Sequence, residues 1–305
     1  MSLAALREAE TSEDKAARRQ YERLVDRYMK RADRLTDRQT RNLLRQLADA
    51  RRQLIDELTS LAGRDGFQAA QLASLRASVE AASARLYQEA RPNVQEAMAS
   101  MWDAGAAFVP ETVGPLGVEL PVGQTISTLQ LVVSQEVVID QLLKLSQDFQ
   151  FRARQAVTLG VLGQKSPFQV MRDLGELLRT EPKFAGASKG KIVSEAETLM
   201  RTQMMAVFNI ANEVRQQEIG RDVPGLKKYW RTARDKRVRP DHVSAGARYQ
   251  VGGSPGPIAQ DAEYTVGGEK ARYPQDPRLS SKQRSRCRCV SVLYSAAWFE
   301  KGGTS

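Results

Sequence analysis

The chain has 305 residues, of which 41% are hydrophobic and 6% aromatic, and its formal net charge is +10. Its longest apolar runs are far shorter than the ~20 residues that a membrane span needs, and its two cysteines are too few for a disulfide scaffold. There is no signal-peptide pattern, so we expect folding in a cytoplasm, with reduced thiols and no membrane partner.

The positive charge is concentrated towards the C-terminus. Residues 221–290 contain 16 Lys/Arg against 7 Asp/Glu, a net +9. Such an excess is typical of surfaces that meet nucleic acid or an acidic partner. A basic domain that is merely soluble is the alternative, because charge alone is a weak signal.

Helical periodicity begins the chain. Apolar residues at spacings near three and four predict a helix over 12–62, ended by turn residues at 63–66, and a second helix over 67–102 that Pro92 should kink or split. These two helices should form an antiparallel hairpin. Glycines and prolines over 103–123 predict a break.

A third helix is predicted over 124–160, although its Val and Ile residues would also suit a short strand. Its predicted apolar face consists of Leu129, Val132, Val133, Val137, Leu142 and Leu145. Ser166, Pro167 and Gln169 form a capping box that starts a fourth helix, which should end near Thr180.

A joint containing Gly186, Ser188 and Gly190 should follow, and then a long helix over 191–219 that Gly220 terminates. The pattern changes after Pro224. Strands are predicted at 226–233, 263–266 and 289–294, with a loop at 252–257.

We therefore predict a mainly α fold with a small C-terminal α+β module. A long N-terminal helical hairpin should be followed by further helices and a loop-rich sheet of short strands. The predicted domains are an N-terminal helical region (1–110), a central helical region (124–220) and a basic, β-rich module (221–305).

Catalytic motifs are absent from the sequence. His242 is the one histidine, and no nucleophile elbow, phosphate-binding loop or metalloprotease motif occurs. We therefore predict that the protein is not an enzyme. A hydrolase or transferase that uses His242 is a less favoured alternative.

His242, Cys287 and Cys289 are the potential metal ligands, with Asp235 and Asp241 nearby in the sequence. Zinc accepts Cys, His and carboxylate ligands. However, the cysteines have Cys-x-Cys spacing, and Arg286 and Arg288 flank them. We therefore expect no metal or other cofactor, and favour two small residues on the inward face of a strand.

Arginines are the more informative feature of this region. Arg284, Arg286 and Arg288 alternate and would share one face of a strand. Arg231, Lys236, Arg237 and Arg239 cluster before Pro240. Their side chains pair with phosphate or carboxylate. No recognition helix accompanies them, so we predict non-specific contact with DNA or contact with an acidic protein surface.

Four motifs occur in a fixed order between about residues 165 and 295. They are an Arg-Thr pair on a helix, Trp-x-Thr-Ala-x-Asp-x-Arg-Val-Arg-Pro-x-His, Gly-Glu-x-x-x-Tyr-Pro-x-Asp-Pro and a terminal Cys-Arg-Cys. Together they resemble the Mu F-like minor head proteins of tailed bacteriophages, also called the phage head morphogenesis family. The chain has Arg239 and His242 where many members carry Cys-x-x-Cys, which reduces the number of potential metal ligands. The motif residues are Arg201, Thr202, Trp230, Asp235, His242, Tyr273, Pro274, Asp276, Pro277, Cys287 and Cys289. From the residues alone, we expect most of these to be structural anchors.

The resemblance implies a minor head protein that docks at the portal vertex during procapsid assembly and contacts double-stranded DNA non-specifically during packaging or delivery. The implied partner is the portal protein, with scaffold or major capsid protein as further candidates. The implied location is the host cytoplasm during assembly and then the virion head near the portal vertex. The alternative is a DNA-associated protein that is packaged in the head and ejected with the genome.

Overall fold

The computed structural model describes residues 12–62, 67–120, 126–180 and 189–299. Helices dominate, and short antiparallel strands form a small C-terminal region, which confirms the predicted fold class. None of the helices in the described ranges is long and apolar enough to cross a membrane. The helices are α1 (Ser12–Leu61), α2 (Leu72–Val113), α3 (Leu129–Val161), α4 (Pro167–Leu177), α5 (Lys191–Asp222), α6 (Pro240–Tyr249) and α7 (Ser281–Arg284). The strands are β1 (Lys227–Arg231), β2 (Ile258–Ala259), β3 (Tyr264–Val266), β4 (Glu269–Ala271) and β5 (Val290–Tyr294).

Helix α1 confirms the helix predicted over 12–62. One stripe of its surface is buried, while Arg and Asp side chains occupy much of the remainder, as in a helix that packs on one side. The predicted turn at 63–66 lies outside the described residues. The buried stripe includes Tyr21, Val25, Tyr28, Ala32, Leu43, Leu47, Leu54 and Leu58.

Helix α2 is longer than predicted, because it continues through Pro92 and Pro110 to Val113. A proline inside a helix costs about 3 kcal/mol, since it removes a hydrogen bond and crowds the preceding turn. Burial of the apolar face beyond Pro92 offsets that cost. The predicted split at Pro92 and the break over 103–113 are therefore wrong. This buried face comprises Val94, Ala97, Met98, Met101, Trp102, Phe108, Val109 and Val113.

Helices α1 and α2 pack against each other and run antiparallel. An early α1 residue, Tyr28, packs edge-on against a late α2 residue, Phe108, at a ring distance of 6.0 Å. A late α1 residue, Glu57, pairs with Arg85, nearer the start of α2, at 2.6 Å. The predicted antiparallel hairpin is confirmed.

Helix α3 is present as predicted, but its buried face differs. Leu142 and Leu145 are buried, whereas Val132 and Val133 are 52% and 57% exposed. Leu129 and Val137 are exposed as well. Apolar residues stand on several sides of the first half of this helix, so periodicity does not identify the inward side. The buried side chains are Leu131, Val138, Ile139, Leu142, Leu145, Phe149, Ala153 and Val157.

Helix α4 begins with the predicted capping box. The Gln169 backbone N–H donates to Ser166 Oγ at 3.2 Å, and the Gln169 side-chain oxygen Oε1 accepts from the Ser166 backbone N–H at 2.8 Å. The helix ends at Leu177, slightly before the predicted end near Thr180. The joint residues Gly186 and Ser188 lie outside the described residues.

Helix α5 continues beyond Gly220 to Asp222, so the predicted stop at Gly220 is wrong. A Cβ at position 220 would lie 1.7 Å from Gln260 Oε1. The Gln260 amide also donates to the Gln216 carbonyl. Glycine at position 220, inside α5, therefore lets the Gln260 side chain approach the helix backbone closely.

Strand β1 lies between β2 and β5, and both pairings are antiparallel. In the β1–β5 register Trp230 lies opposite Ser291. Strands β3 and β4 form a separate two-stranded sheet. The strands predicted at 226–233, 263–266 and 289–294 are confirmed, with small differences at their ends.

Helices α6 and α7 were not predicted. Helix α7 ends at Arg284, and Arg286 follows with a left-handed φ of 52°. Arg284, Arg286 and Arg288 therefore do not alternate along a strand, and that prediction is wrong. The cysteines precede β5, which begins at Val290.

The chain divides into two compact units. Unit 1 comprises Met1–Leu35, Ser100–Gln130 and Met205–Ser305, and unit 2 comprises Thr36–Ala99 and Leu131–Met204. Each unit draws on more than one of the three regions proposed from the sequence. The division at residues 110, 124 and 221 stays a prediction.

Candidate functional site

Trp230 lies at the centre of the C-terminal module in unit 1. Its side chain is 1% exposed and packs edge-on against His242 at 5.6 Å and against Tyr264 at 5.3 Å. Tyr264 packs in the same way against Tyr249 at 5.0 Å. Strand β1, helix α6 and strand β3 therefore share one aromatic core, as expected if Trp230 is a structural anchor.

Helix α6 carries His242 into this core. Pro240 occupies its first turn, where the missing N–H is not needed. Asp241 in the first turn and Arg248 in the last complement the helix dipole. His242 is buried beside the aromatic rings, with 1% of its surface exposed.

His242, Cys287 and Cys289 form a buried cluster. His242 Nδ1 lies 3.4 Å from the Sγ of each cysteine, and the potential ligand atoms of the three residues all lie within 4.8 Å of one another. Both cysteines are free thiols. The structure thus unites the three candidate ligands that are separated in sequence.

The other ring nitrogen of His242 is fixed by Gln283. Nε2 lies 3.0 Å from Gln283 Oε1, and the Gln283 amide nitrogen donates to Asp241 Oδ2 at 2.7 Å. Because the Asp241 carboxylate accepts a hydrogen bond from the Gln283 amide N–H, the amide oxygen faces the imidazole and accepts a hydrogen bond from Nε2–H. In the neutral imidazole, Nδ1 then presents its lone pair to the thiols.

The two thiols differ in acidity. The hydrogen bond with Cys289, supported by His242, holds the pKa of Cys287 well below its usual value. Burial raises the pKa of Cys289 well above the usual value. A cavity of about 10 Å³ adjoins the cluster, which is near the space that one water molecule needs. The cluster can accommodate a water or a small ion, and an organic substrate would not fit.

The loop that contains Tyr273, Pro274, Asp276 and Pro277 contacts the backbone of this cluster through Gln275. Gln275, with a left-handed φ of 68°, donates from its side chain to the Cys287 carbonyl at 2.5 Å. Burial would raise the pKa of Asp276, but hydrogen bonds from Arg278 and two backbone amides lower it below its usual value. This motif fixes a loop, as expected from the sequence.

Side-chain amides of α5 donate to carbonyls in β5 and just before it. Asn209 donates to Cys289 O at 3.1 Å, and Asn212 and Gln216 donate to Ser291 O at 2.7 and 2.9 Å. Covering a sheet edge in this way satisfies buried carbonyls and prevents further strand pairing. Sequence reasoning missed Asn212 and Gln216, although their helical spacing on a largely apolar helix was a usable signal.

Two arginines that the sequence singled out, Arg231 and Arg201, form ion pairs within the fold. In unit 1 the guanidinium of Arg231, with a side chain 3% exposed, pairs with Glu22 and Asp26 of α1. In unit 2 Arg201 pairs with Asp37 and Glu197, and the neighbouring Thr202 is half-buried. The side chain of Arg231 is therefore buried and does not contribute to an exposed cationic surface.

The remaining cations cluster in part. Arg237, Arg239 and Arg286 line the small cavity beside the cysteines, and the adjacent Lys236 is exposed. We call these four residues the cationic rim. Arg284 is half-buried and is not among the residues that line this cavity.

Arg288 also borders the cavity, but it is bound to acidic groups. It pairs with Asp235 at 2.7 Å and with Asp33 at 3.3 Å, and its side chain is 15% exposed. The hydrogen bond from Arg288, with further bonds from Arg237, lowers the pKa of Asp235 to about 2. Asp235 therefore orders the start of the cationic rim.

A buried Lys228–Glu213 pair was also missed by sequence reasoning. Lys228 Nζ lies 3.8 Å from Glu213 Oε1, donates to the Arg272 carbonyl at 2.8 Å and lies 5.3 Å from the Tyr264 ring centre. Burial lowers the pKa of Lys228 and raises that of Glu213. Strand alternation with Leu226 and Trp230 was the available signal that Lys228 points inward.

A polar cavity of about 380 Å³ opens beside Glu213. Gln217, Arg221, Asp261 and Arg272 contribute to its lining. Charged groups of both signs line it, so its composition does not select one class of ligand.

Comparisons of the chain with models of known families, with curated proteins and with solved structures gave no match. The resemblance to the phage head morphogenesis family stays a prediction.

Proposed function

We propose that this chain is a minor head protein of a tailed bacteriophage, which docks at the portal vertex during procapsid assembly and contacts DNA non-specifically. One observation carries the proposal: the last three of the four ordered motifs on which the resemblance rests meet in one buried core of unit 1. Trp230 packs on His242, Asn209 binds the Cys289 carbonyl, and Gln275 binds the Cys287 carbonyl. The shared pattern is therefore consistent with a fold signature.

The cationic rim is the surface proposed for DNA. Arg237 has a side chain 67% exposed, and Lys236 and Arg286 are exposed beside it. Cations that neutralise phosphates release counterions, so log K falls with log salt with a slope of about −0.9 for each phosphate. Replacing Lys236, Arg237 and Arg286 by Gln should flatten the slope by up to about 2.7.

Arg38, Arg41 and Arg45 supply a matched control. They are exposed on α1, and their replacement by Gln changes the net charge by the same amount. If this control flattens the salt slope as much as the rim variant does, the DNA contact depends on overall charge, and the rim assignment is wrong.

Docking to a protein needs a different kind of surface. In unit 2, helix α3 exposes Val132, Val133 and Val137 at 52%, 57% and 46%. Exposed apolar groups that lie together on one helix are typical of protein contacts. We propose this apolar stripe as the docking surface for the portal protein.

The test is co-purification of the full chain with the portal protein of the same phage, at low and high salt, with and without nuclease. Portal binding that survives nuclease and high salt supports docking through a packed interface. Val132→Gln with Val133→Gln should weaken portal binding and leave DNA binding unchanged, while the rim variant should do the reverse. Portal recovery that requires DNA and disappears at high salt would overturn the docking proposal and favour a protein ejected with the genome.

A further inference from the structure

We propose that His242, Cys287 and Cys289 bind one zinc ion, with a fourth ligand supplied by a water in the adjoining cavity. This inference goes beyond the proposed function and holds whether or not the chain is a phage head protein. It reverses the expectation from the sequence, which favoured no metal because the flanking arginines would oppose a cation.

The two nitrogen–sulfur distances in the cluster match those of a tetrahedral zinc site. Zinc binds thiolate at about 2.3 Å and imidazole at about 2.0 Å, so ligand nitrogen and sulfur at a tetrahedral angle are about 3.5 Å apart. The structure places His242 Nδ1 3.4 Å from each sulfur. The two sulfurs lie within the 4.8 Å that encloses the whole cluster. Only small adjustments are needed to place an ion between them.

The imidazole is oriented as a metal ligand requires. A histidine that binds a metal donates its other ring N–H to a neighbouring acceptor, which fixes the tautomer. Gln283 Oε1 is that acceptor at 3.0 Å, and Asp241 holds the Gln283 amide in place. The lone pair of Nδ1 therefore points to the two sulfurs.

The flanking arginines do not place uncompensated charge against an ion. Arg288 pairs with Asp235 and Asp33, and Arg239 donates to the Ser285 carbonyl. The side chain of Arg286 is exposed, so water and salt screen its charge. Two thiolates neutralise the charge of Zn²⁺, so the bound site adds little charge to the interior.

The ligand set and the space around it select the metal and its role. Two sulfurs and one imidazole suit zinc and disfavour magnesium or calcium, which prefer oxygen ligands. The adjoining cavity of about 10 Å³ holds about one water. We infer that the ion joins α6 to the segment before β5.

The first measurement is the metal content of the full chain, purified without chelator and then dialysed against zinc and desalted. The expected result is one zinc per chain. The two cysteines are the only thiols in the chain, so titration with a mercurial should release the zinc with two thiol equivalents. Cobalt in place of zinc should give thiolate-to-metal charge-transfer absorption and strong tetrahedral d–d bands.

Variants test the individual ligands. Cys289→Ser and His242→Asn should each weaken zinc binding by more than 10-fold. Gln283→Ala should weaken it by about 10–100-fold, because Gln283 positions the imidazole. Gln250→Ala, an exposed glutamine at the end of α6, is the matched control and should leave affinity unchanged.

The wild-type chain keeps the proposal testable if a variant fails to fold. Folded wild-type protein that binds neither zinc nor cobalt would overturn the proposal and leave a hydrogen-bonded thiol–imidazole cluster. Retention of full affinity by a folded His242→Asn variant would overturn the three-ligand assignment.

Discussion

The Lys228–Glu213 pair gives the sharpest prediction about stability. Nζ and Oε1 are 3.8 Å apart, which corresponds to an attraction of about 4 kcal/mol at an effective dielectric constant of about 20. Lys228→Met keeps most of the apolar stem and leaves the Glu213 carboxylate buried with Gln217 as a donor at 3.0 Å. Removing one partner of a buried pair costs about 3–5 kcal/mol, and we expect a loss in that range at pH 7.

The two single variants should respond to pH in opposite directions. The pKa of Glu213 is raised in the folded chain, so the folded state favours its protonated form, and Lys228→Met should recover stability as the pH falls. The pKa of Lys228 is lowered, so the folded state favours the neutral amine. Glu213→Gln should therefore recover stability as the pH rises.

Urea unfolding followed by circular dichroism at pH 5, 7 and 9 measures both effects. The double variant Lys228→Met with Glu213→Gln should be more stable than the sum of the single losses predicts, by at least about 2 kcal/mol. Lys227→Met, an exposed neighbour on β1, should change stability by less than about 0.5 kcal/mol. Additive losses for the pair, within about 0.5 kcal/mol, would refute the reasoning.

Three further predictions concern single positions. Ser166→Ala removes the cap of α4 and should cost about 1 kcal/mol of unfolding free energy, measured by urea unfolding; no loss would contradict the capping role. Gly105→Ala places a Cβ 2.3 Å from the Phe208 carbonyl oxygen and should cost about 1–3 kcal/mol, whereas Gly114→Ala meets nothing within 4 Å and should not lower the melting temperature. The pKa of Asp235 falls from 3.8 to about 2 on folding, so its stabilising contribution is complete above pH 3.8 and is lost as the pH falls through about 2. Asp235→Asn should remove that part of the acid-unfolding curve, and an unchanged curve would count against it.

Local signals predicted those elements for which one pattern dominates. The capping box at Ser166 fixes the start of α4, and the alternation around Trp230 identifies β1. In both cases the nearest few residues determine the backbone. The helical stripe of α1 was equally predictable, because charged residues separate its apolar positions.

Tertiary contacts decided what the sequence did not reveal. Pro92 stays within α2 because the apolar residues beyond it are buried. Helix propensities do not include the free energy gained from that burial. Val132 and Val133 are exposed because α3 offers more apolar positions than one buried face uses. The Lys228–Glu213 pair joins residues from β1 and α5, and no local sequence pattern predicts a contact between these two elements.

The candidate site was predicted in its residue types but not in its arrangement. His242 and the two cysteines were identified as potential ligands, but their convergence depends on α6, which was missed, and on the turn at Arg286. The sequence also grouped Arg231 with the surface cations. The carboxylates that pair with the buried Arg231, Glu22 and Asp26, lie about 200 positions earlier in the chain.

The interior of the C-terminal module explains why its motifs occur together and in order. The three-stranded sheet depends on groups that precede residue 221 in the chain. The carbonyls of Ser291 in β5 and of Cys289 just before it depend on amides of α5, and Arg231 of β1 depends on acids of α1. A fragment that starts at residue 221 would leave those buried groups without their partners, at about 1–3 kcal/mol for each unmet hydrogen bond. We therefore expect the aromatic core and the cationic rim after residue 221 to need the second half of α5 and the first half of α1 in order to fold.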